Sequence, residues 1–299
     1  MVTVSMKKKN PGKTMNTIKR PNRFWDTFRR IFKTPSAKLG GILLAIIVMV
    51  SIFAPLIAPY DPFAMDYSAM HAPSSLKHLC GTDDLGRDIL SRLIYGGRYS
   101  LTLGILADLI GQIVGIAIGS IAGYFGGRTD NIIMRILDIW QALPSMLLTI
   151  ILSAVLGAGF FNTIIALSIG GIPRGARMTR GQILAERGKE YLEAAQSINC
   201  SSTTIMFTHL LPNVISPSIV SATMQVGGTI TMAAGLSYLG LGIQPPTPEW
   251  GAMLSEGTQL MRSYPHVIFW PGLTIGICVL AINLIGDGLR DALDPKLRN

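Results

Sequence analysis

Residues 39–58 read L-G-G-I-L-L-A-I-I-V-M-V-S-I-F-A-P-L-I-A, a stretch of 20 residues without a charged side chain. A helix of about 20 apolar residues crosses the roughly 30 Å hydrocarbon core of a bilayer. This stretch therefore predicts a membrane-spanning helix. The composition agrees, because 49% of the residues are hydrophobic and only 14% are charged, whereas about a quarter are charged in soluble domains.

Further apolar blocks predict an all-α polytopic membrane protein. The fourth predicted span is short, because Gly170, Gly171 and Pro173 interrupt it, and it can extend toward Met178. Six transmembrane helices are the most economical count. After the first span, the predicted spans cover residues 101–124, 136–157, 160–172, 214–242 and 267–289.

Basic residues orient the predicted spans. Residues 1–38 carry 11 of the 26 Lys and Arg residues, and such residues are retained on the cytoplasmic side. We therefore expect cytoplasmic termini, a transmembrane domain over residues 39–299, an extracytoplasmic loop over 60–100 and a cytoplasmic segment over 185–212. This topology and anionic lipid explain the net charge of +9, so no nucleic-acid partner is predicted.

The basic N-terminal segment also predicts an interfacial helix. Phe24, Phe28, Ile31 and Phe32 follow a helical spacing with basic residues beside them. Such a helix lies in the headgroup region of the bilayer.

The second predicted span contains a stripe of glycines at four-residue steps, Gly111, Gly115, Gly119 and Gly123. Small residues at this spacing let two membrane helices approach closely. Asp108 lies near the stripe on a helical wheel, so it should face protein or water and not lipid. Two roles stay open for it: a carboxylate in a transport pathway, or a buried hydrogen-bonding group at a subunit seam.

Several chemical motifs are excluded by their context. The P-G-K-T at residues 11–14 lacks the first glycine, the strand and the helix of a phosphate-binding loop. The outer-loop residues His71, His78, Cys80 and Asp83 match no standard metal spacing. No arrangement of catalytic side chains stands out, so the chain is predicted to be neither an enzyme nor the holder of a cofactor or metal.

The segment 185–212 is too polar for the membrane and is patterned as short helices. Glu186, Glu190 and Glu193 form an acidic ridge. A partly apolar surface is predicted beside the ridge, made of Tyr191, Leu192, Ala194 and Ala195. Asn199 can adopt the left-handed conformation that ends one helix, and Pro212 marks the return to the membrane. This combination suits docking into a groove, although an ordinary amphipathic loop fits the pattern equally well.

Motifs along the chain resemble those of the C-type permease of dipeptide, oligopeptide and nickel ABC importers. The E-A-A at residues 193–195, followed by a turn at Asn199 and by L-P at residues 211–212, resembles the cytoplasmic motif of ABC-importer permeases. Asn199 stands where that motif has Gly, and His209 where it has an aliphatic residue. The other motifs are G-T-D-D-L-G-R-D at 81–88, A-G-Y-F-G-G-R at 122–128, S-Y-L-G-L-G at 237–242, P-x-W-G around Trp250 and G-D-G-L-R-D-A-L-D-P at 286–295.

The resemblance implies the type I importer permease fold in a bacterial cytoplasmic membrane. It also implies a heterodimer with a B-type permease, two cytoplasmic ATPase subunits that bind ATP and Mg²⁺, and an extracytoplasmic substrate-binding protein. The chain would supply half of the pathway for peptides, and the outer segment would meet the binding protein. The residues implied in ATPase docking are Glu190, Glu193, Ala194, Ala195, Asn199, Cys200, Leu211 and Pro212.

Other functions stay open at this stage. A nickel or metal-chelate importer would carry the same motifs. An ion-coupled secondary transporter would use Asp108 as its coupling residue. A membrane scaffold without a substrate is a third alternative.

Overall fold

The computed structural model describes residues 31–32 and 34–293. In this part of the chain the regular structure is helical, with one isolated β-bridge between Thr82 and Asp88. Most of the predicted interfacial helix and the end of the last motif lie outside the described residues. The helices are α1 (Pro35–Ile52), α2 (Ala54–Ile57), α3 (Ile89–Phe125), α4 (Gly127–Trp140), α5 (Ser145–Leu156), α6 (Phe160–Glu186), α7 (Glu190–Ser197), α8 (Ser202–Thr204), α9 (Leu211–Tyr238), α10 (Trp250–Thr258) and α11 (His266–Leu293).

Four helices of the described chain are long and apolar enough to cross a membrane, namely α1, α3, the helical stretch Ser202–Tyr238 and α11. A fifth span results if α4 and α5 are counted together. The predicted fourth span corresponds to α6, which runs to Glu186 and so passes well beyond residue 172. The arginines of α6 lower its hydropathy, so α6 is not among the helices counted above as apolar enough to cross a membrane. The count of six spans therefore stays a prediction.

The predicted third span is not one straight helix. Helices α4 and α5 meet at 76° across residues 141–144. Pro144 stands immediately before α5, and a proline disfavours helical geometry at the residue that precedes it. The helical pattern therefore breaks here, which the apolar run in the sequence conceals.

The predicted second span begins earlier than residue 101, because α3 starts at Ile89. Asp88 ends the preceding loop and caps the helix, since its carboxylate accepts a hydrogen bond from the Ser91 amide at 2.8 Å. A side-chain oxygen at this position satisfies an amide that has no partner inside the helix. The polar first turns of α3 thus belong to the helix and not to the outer loop.

The glycine stripe of α3 packs directly against α6. A Cβ atom added to Gly111 would lie 2.9 Å from the Ser168 carbonyl oxygen, and one added to Gly119 would lie 2.3 Å from that of Ala176. Gly115 is equally close to the backbone of α6. At the glycine stripe α3 and α6 therefore lie closer together than residues with side chains would permit.

We expect Gly119→Ala to destabilise the protein, because the added methyl group collides with backbone and not with a mobile side chain. Overpacking of this kind costs roughly 1–3 kcal/mol. Gly181→Ala is the matched control, since nothing lies within 4 Å of a Cβ added at Gly181 on α6. Thermal unfolding in detergent should show a lower midpoint for the first variant only. Equal midpoints would contradict the packing.

Candidate functional site

The segment 185–212, which is predicted to be cytoplasmic, contains a short helix, α7, followed by a tight turn. Glu190 and Glu193 lie in its first turn, where negative charge is favourable against the helix dipole. Asn199 has φ of +58°, which is the left-handed conformation expected from the sequence. Ser201 then accepts a hydrogen bond from the Thr204 amide at 3.2 Å and caps α8. Asparagine therefore supplies here the turn for which glycine is the commoner residue.

One side of α7 is buried against the rest of the chain. Leu192 and Ala195 are 3% and 6% exposed. They join an apolar cluster that also contains Ile183, Ile205, Leu210 and Val214. This arrangement differs from the predicted apolar surface, because Leu192 and Ala195 face inward and only Ala194 is exposed. Burial of Ala195 fixes α7 on the ends of α6 and α9.

The opposite side of α7 is open. Glu190, Glu193 and Ala194 are exposed, and no hydrogen bond to either carboxylate is present in the described chain. Ile198, which follows the helix, is 76% exposed. Two free carboxylates beside an exposed apolar side chain form a surface that can contact another protein. We call Glu190, Glu193, Ala194 and Ile198 the outward face of α7.

The remaining predicted docking residues lie beside this face or beneath it. Cys200 is partly buried and packs with Leu211 against the apolar cluster. Pro212 is exposed in the first turn of α9. Lys189, just before α7, donates a hydrogen bond to Glu186, and this hydrogen bond raises the pKa of Lys189 above its usual range. The segment is thus ordered by contacts within the chain.

A buried ion network organises the opposite end of the molecule, where the sequence predicts the outer loop. Arg87 Nε donates to Asp83 Oδ2 at 2.7 Å, and Arg92 Nη1 donates to Glu256 Oε2 at 2.9 Å. Arg87 and Arg92 are 2% and 1% exposed. Burial alone would lower the pKa of Arg87, but Asp83 and Glu256 raise it above its usual value. The network joins the G-T-D-D-L-G-R-D motif to α10.

Two further contacts strengthen the same junction. Glu249 caps α10 by accepting from the Ala252 amide at 2.9 Å, and it also accepts from the Ser100 hydroxyl of α3 at 2.8 Å. The Trp250 indole, 1% exposed, donates to the Leu93 carbonyl at 3.0 Å. The motif around Trp250 therefore locks α10 onto the outer end of α3.

The outer-loop residues considered as metal ligands have other partners. His78 Nδ1 lies 2.9 Å from Asp88 Oδ1. Burial raises the pKa of Cys80 to about 11, with the Asp88 charge adding to the shift, so the thiolate that binds metals is scarce near neutral pH. Oxygens of Asp83, Asp84 and Glu256 lie within 4.8 Å of one another, but Arg87 and Arg92 already supply the positive charge there.

Asp108 lies about halfway along α3 and lines a polar cavity between α3, α5, α6 and α9. Gln112, Arg174 and Gln225 line the same cavity. Arg174 Nη1 donates to Gln225 Oε1. The position of Asp108 agrees with the prediction that it faces protein or water, because the residue is 8% exposed.

Sequence reasoning missed several of these residues. Glu256 pairs with arginines more than 160 residues away, and no local spacing indicates that pairing. Arg174 and Gln225 meet only because α6 and α9 are neighbours. Ile198 could have been identified from the sequence, because an isoleucine in a polar segment is a candidate contact with another protein.

The fold and these surfaces define a helical membrane protein in which one face of the short helix α7 is exposed. Residues 115–299 match the family model for the binding-protein-dependent transport system inner membrane component. Residues 22–73 match the N-terminal TM domain of oligopeptide transport permease C. The chain belongs to this family of transport-system membrane components, and the resemblance read from its motifs is confirmed. Members act as ABC importer permeases with ATPase and binding-protein partners, and not as catalytic subunits.

Two relatives cover almost the whole chain. The di/tripeptide transport system permease protein DppC of Pseudomonas aeruginosa is 44% identical over 283 residues, with 92% of each chain covered. The glutathione transport system permease protein GsiD of Escherichia coli is 48% identical over 278 residues, with 93% of this chain and 91% of the relative covered.

A solved structure of the MetNI methionine ABC transporter in an inward-facing conformation shares the fold. The TM-score is 0.57 at 17% identity, and the match covers 68% of this chain and 97% of that one. This likeness concerns the fold alone. The chain is thus a multi-pass inner membrane protein with an ABC importer permease fold.

We expect Glu256→Gln to destabilise the protein by roughly 3 kcal/mol, because it leaves two buried arginines with one fewer carboxylate. Asp84→Asn is the matched control. The Asp84 side chain is 45% exposed and its contact with Arg87 is long, at 3.4 Å, so this ion pair contributes at most about 1 kcal/mol. Unfolding can be followed in detergent by tryptophan fluorescence. A Glu256→Gln midpoint equal to that of the control would show that the network contributes little.

Proposed function

We propose that this chain is the C-type permease subunit of an ABC importer for short peptides and forms half of the translocation pathway. The observation that carries the proposal is its 44–48% identity, over nearly its whole length, to permeases named for di/tripeptide and glutathione transport. Its partners would be a B-type permease, two ATPase subunits that bind ATP and Mg²⁺, and an extracytoplasmic binding protein. An importer of nickel chelates or an ion-coupled transporter is less well supported.

We infer six spans with cytoplasmic termini, with α6 as the fourth span. Contacts within the chain support this topology. The ion network brings the start of α3 and α10 together, whereas α7 packs beside Tyr124 at the end of α3. The outer loops and α7 therefore lie at opposite ends of the bundle, as expected if α4 with α5 forms one span and α6 forms another.

The outward face of α7 is the proposed contact with an ATPase subunit, and residues 190–200 would act as the coupling helix. Its carboxylates and Ile198 are free to pair with basic and apolar groups of a partner. Ala195, Cys200 and Leu211 would act from beneath by holding α7 on α6 and α9. ATP-driven closure would then tilt these helices, because a bound partner favours the conformation that it fits better.

We expect Glu193→Lys to reduce ATP-dependent uptake at least about ten-fold while ATP hydrolysis continues, because the change takes the outward face from two negative charges to no net charge without breaking a side-chain contact in the described chain. Glu193→Gln should have a smaller effect, since it keeps the shape and removes only the charge. Uptake and hydrolysis are measured on the reconstituted complex. Unaltered uptake by the lysine variant would remove Glu193 from the docking surface.

In a Cys200→Ser background, Ala194→Cys should crosslink to an ATPase subunit through a short reagent, because Ala194 is exposed on the outward face. A cysteine at Leu76 is the control, as that side chain is 99% exposed in the loop proposed to lie outside. Immunoblotting of the complex detects the product. If the active complex gives no crosslinked product at position 194, the assignment of residues 190–200 as the coupling helix is wrong.

The proposed function itself is tested by uptake into proteoliposomes that contain all subunits. Labelled dipeptide, glutathione and chelated nickel are compared with and without ATP. We expect ATP-dependent uptake of the peptides. Uptake that follows an ion gradient and persists without the ATPase subunits would favour the secondary transporter.

A further inference from the structure

The cavity that Asp108 lines lies between four helices. Its volume is about 50 Å³, enough for a few water-sized groups, since one water needs roughly 10–15 Å³ on this measure. Gly171 contributes to one wall with nothing within 4 Å of an added Cβ. The cavity therefore admits small charged groups of a ligand beside Asp108.

One wall presents a carboxylate without a partner. Asp108 is 8% exposed, and its side chain accepts no hydrogen bond from the described residues. A buried charged group without a hydrogen-bonding partner is costly, and an ionisable residue inside a membrane segment is retained for a use. The missing partner is thus expected to be a donor that enters the cavity.

Another wall presents unused donors. Arg174 gives one hydrogen bond in the described chain, to Gln225, whereas a guanidinium group has five N–H donors. Arg174 lines the same cavity as Asp108, but the two groups form no direct ion pair. A carboxylate and a guanidinium that remain apart across one cavity complement a molecule with separated positive and negative ends.

We propose that this cavity is a transient binding site for the transported peptide in its zwitterionic form. Asp108 accepts hydrogen bonds from the peptide's terminal ammonium group, and Arg174 with Gln225 receives its terminal carboxylate. The inference rests on the proposed peptide transport and adds the site at which the permease itself contacts its cargo. Contacts to the two termini do not involve the side chains of the peptide, so peptides of different sequence can bind.

The test uses the reconstituted permease–ATPase complex without the binding protein, so that only the permease can select. A reporter is Ser145→Cys, because Ser145 is exposed and lines the cavity. Cys200→Ser removes the native cysteine that is partly accessible, and Cys80 and Cys278 are buried. Labelling of the reporter by a small thiol reagent is timed with dialanine or with N-acetyl-dialanine present.

We expect dialanine to slow the labelling and N-acetyl-dialanine, which lacks the ammonium group, to have little effect. Asp108→Asn should raise the dialanine concentration needed for protection by about ten-fold or more. The matched control is Asp138→Asn, since Asp138 is an exposed carboxylate away from the cavity. It should leave protection unchanged.

Equal protection by the two peptides, or protection that survives Asp108→Asn, would overturn the site. If the Asp108→Asn variant fails to assemble, the comparison of the two peptides on the protein that retains Asp108 still tests the proposed site. Failure of the proposed function gives a different result, namely no ATP-dependent peptide uptake by the complete transporter. Uptake without protection rejects the cavity alone.

Discussion

Backbone-to-backbone contact between α3 and α6 is the constraint on which the other features depend. Gly111, Gly115 and Gly119 bring α3 so close to α6 that an added Cβ would lie 3 Å or less from backbone atoms. Lipid supplies no hydrophobic force between helices, so close packing must supply the attraction. The contact brings Asp108 and Arg174 into the lining of one cavity and aligns the ends of the two helices. Both the cavity and the base of α7 are consequences of it.

Each end of this helix pair carries a different kind of junction. At the outer end, buried charges hold the loop before α3 to α10. At the cytoplasmic end, apolar side chains hold α7 to α6 and α9. Buried ion pairs require specific geometry and resist rearrangement, whereas an apolar cluster tolerates small shifts. The junction at the start of α3 therefore depends on side-chain geometry, and the junction at α7 depends on apolar burial.

Local patterns in the sequence predicted what local physics controls. Glycine spacing predicted the α3–α6 contact, and Asn199 predicted the left-handed turn. The family followed from motifs in order along the chain. Features that depend on distant residues were missed, such as Glu256 pairing with Arg87 and Arg92. The break before Pro144 was concealed because hydropathy records apolar length and not helix direction. The inward orientation of Ala195 could not be predicted without knowing where α9 lies.

The uninterrupted course of α6 has a mechanical consequence. One helix runs from Phe160 to Glu186 and contains Pro173 beside the cavity residue Arg174. A proline removes one hydrogen bond from the helix and makes bending easier there. A tilt imposed through α7 would be transmitted along α6, and α6 would bend first at Pro173. The wall that carries Arg174 would then swing relative to Asp108, so the cavity would change shape in step with the ATPase.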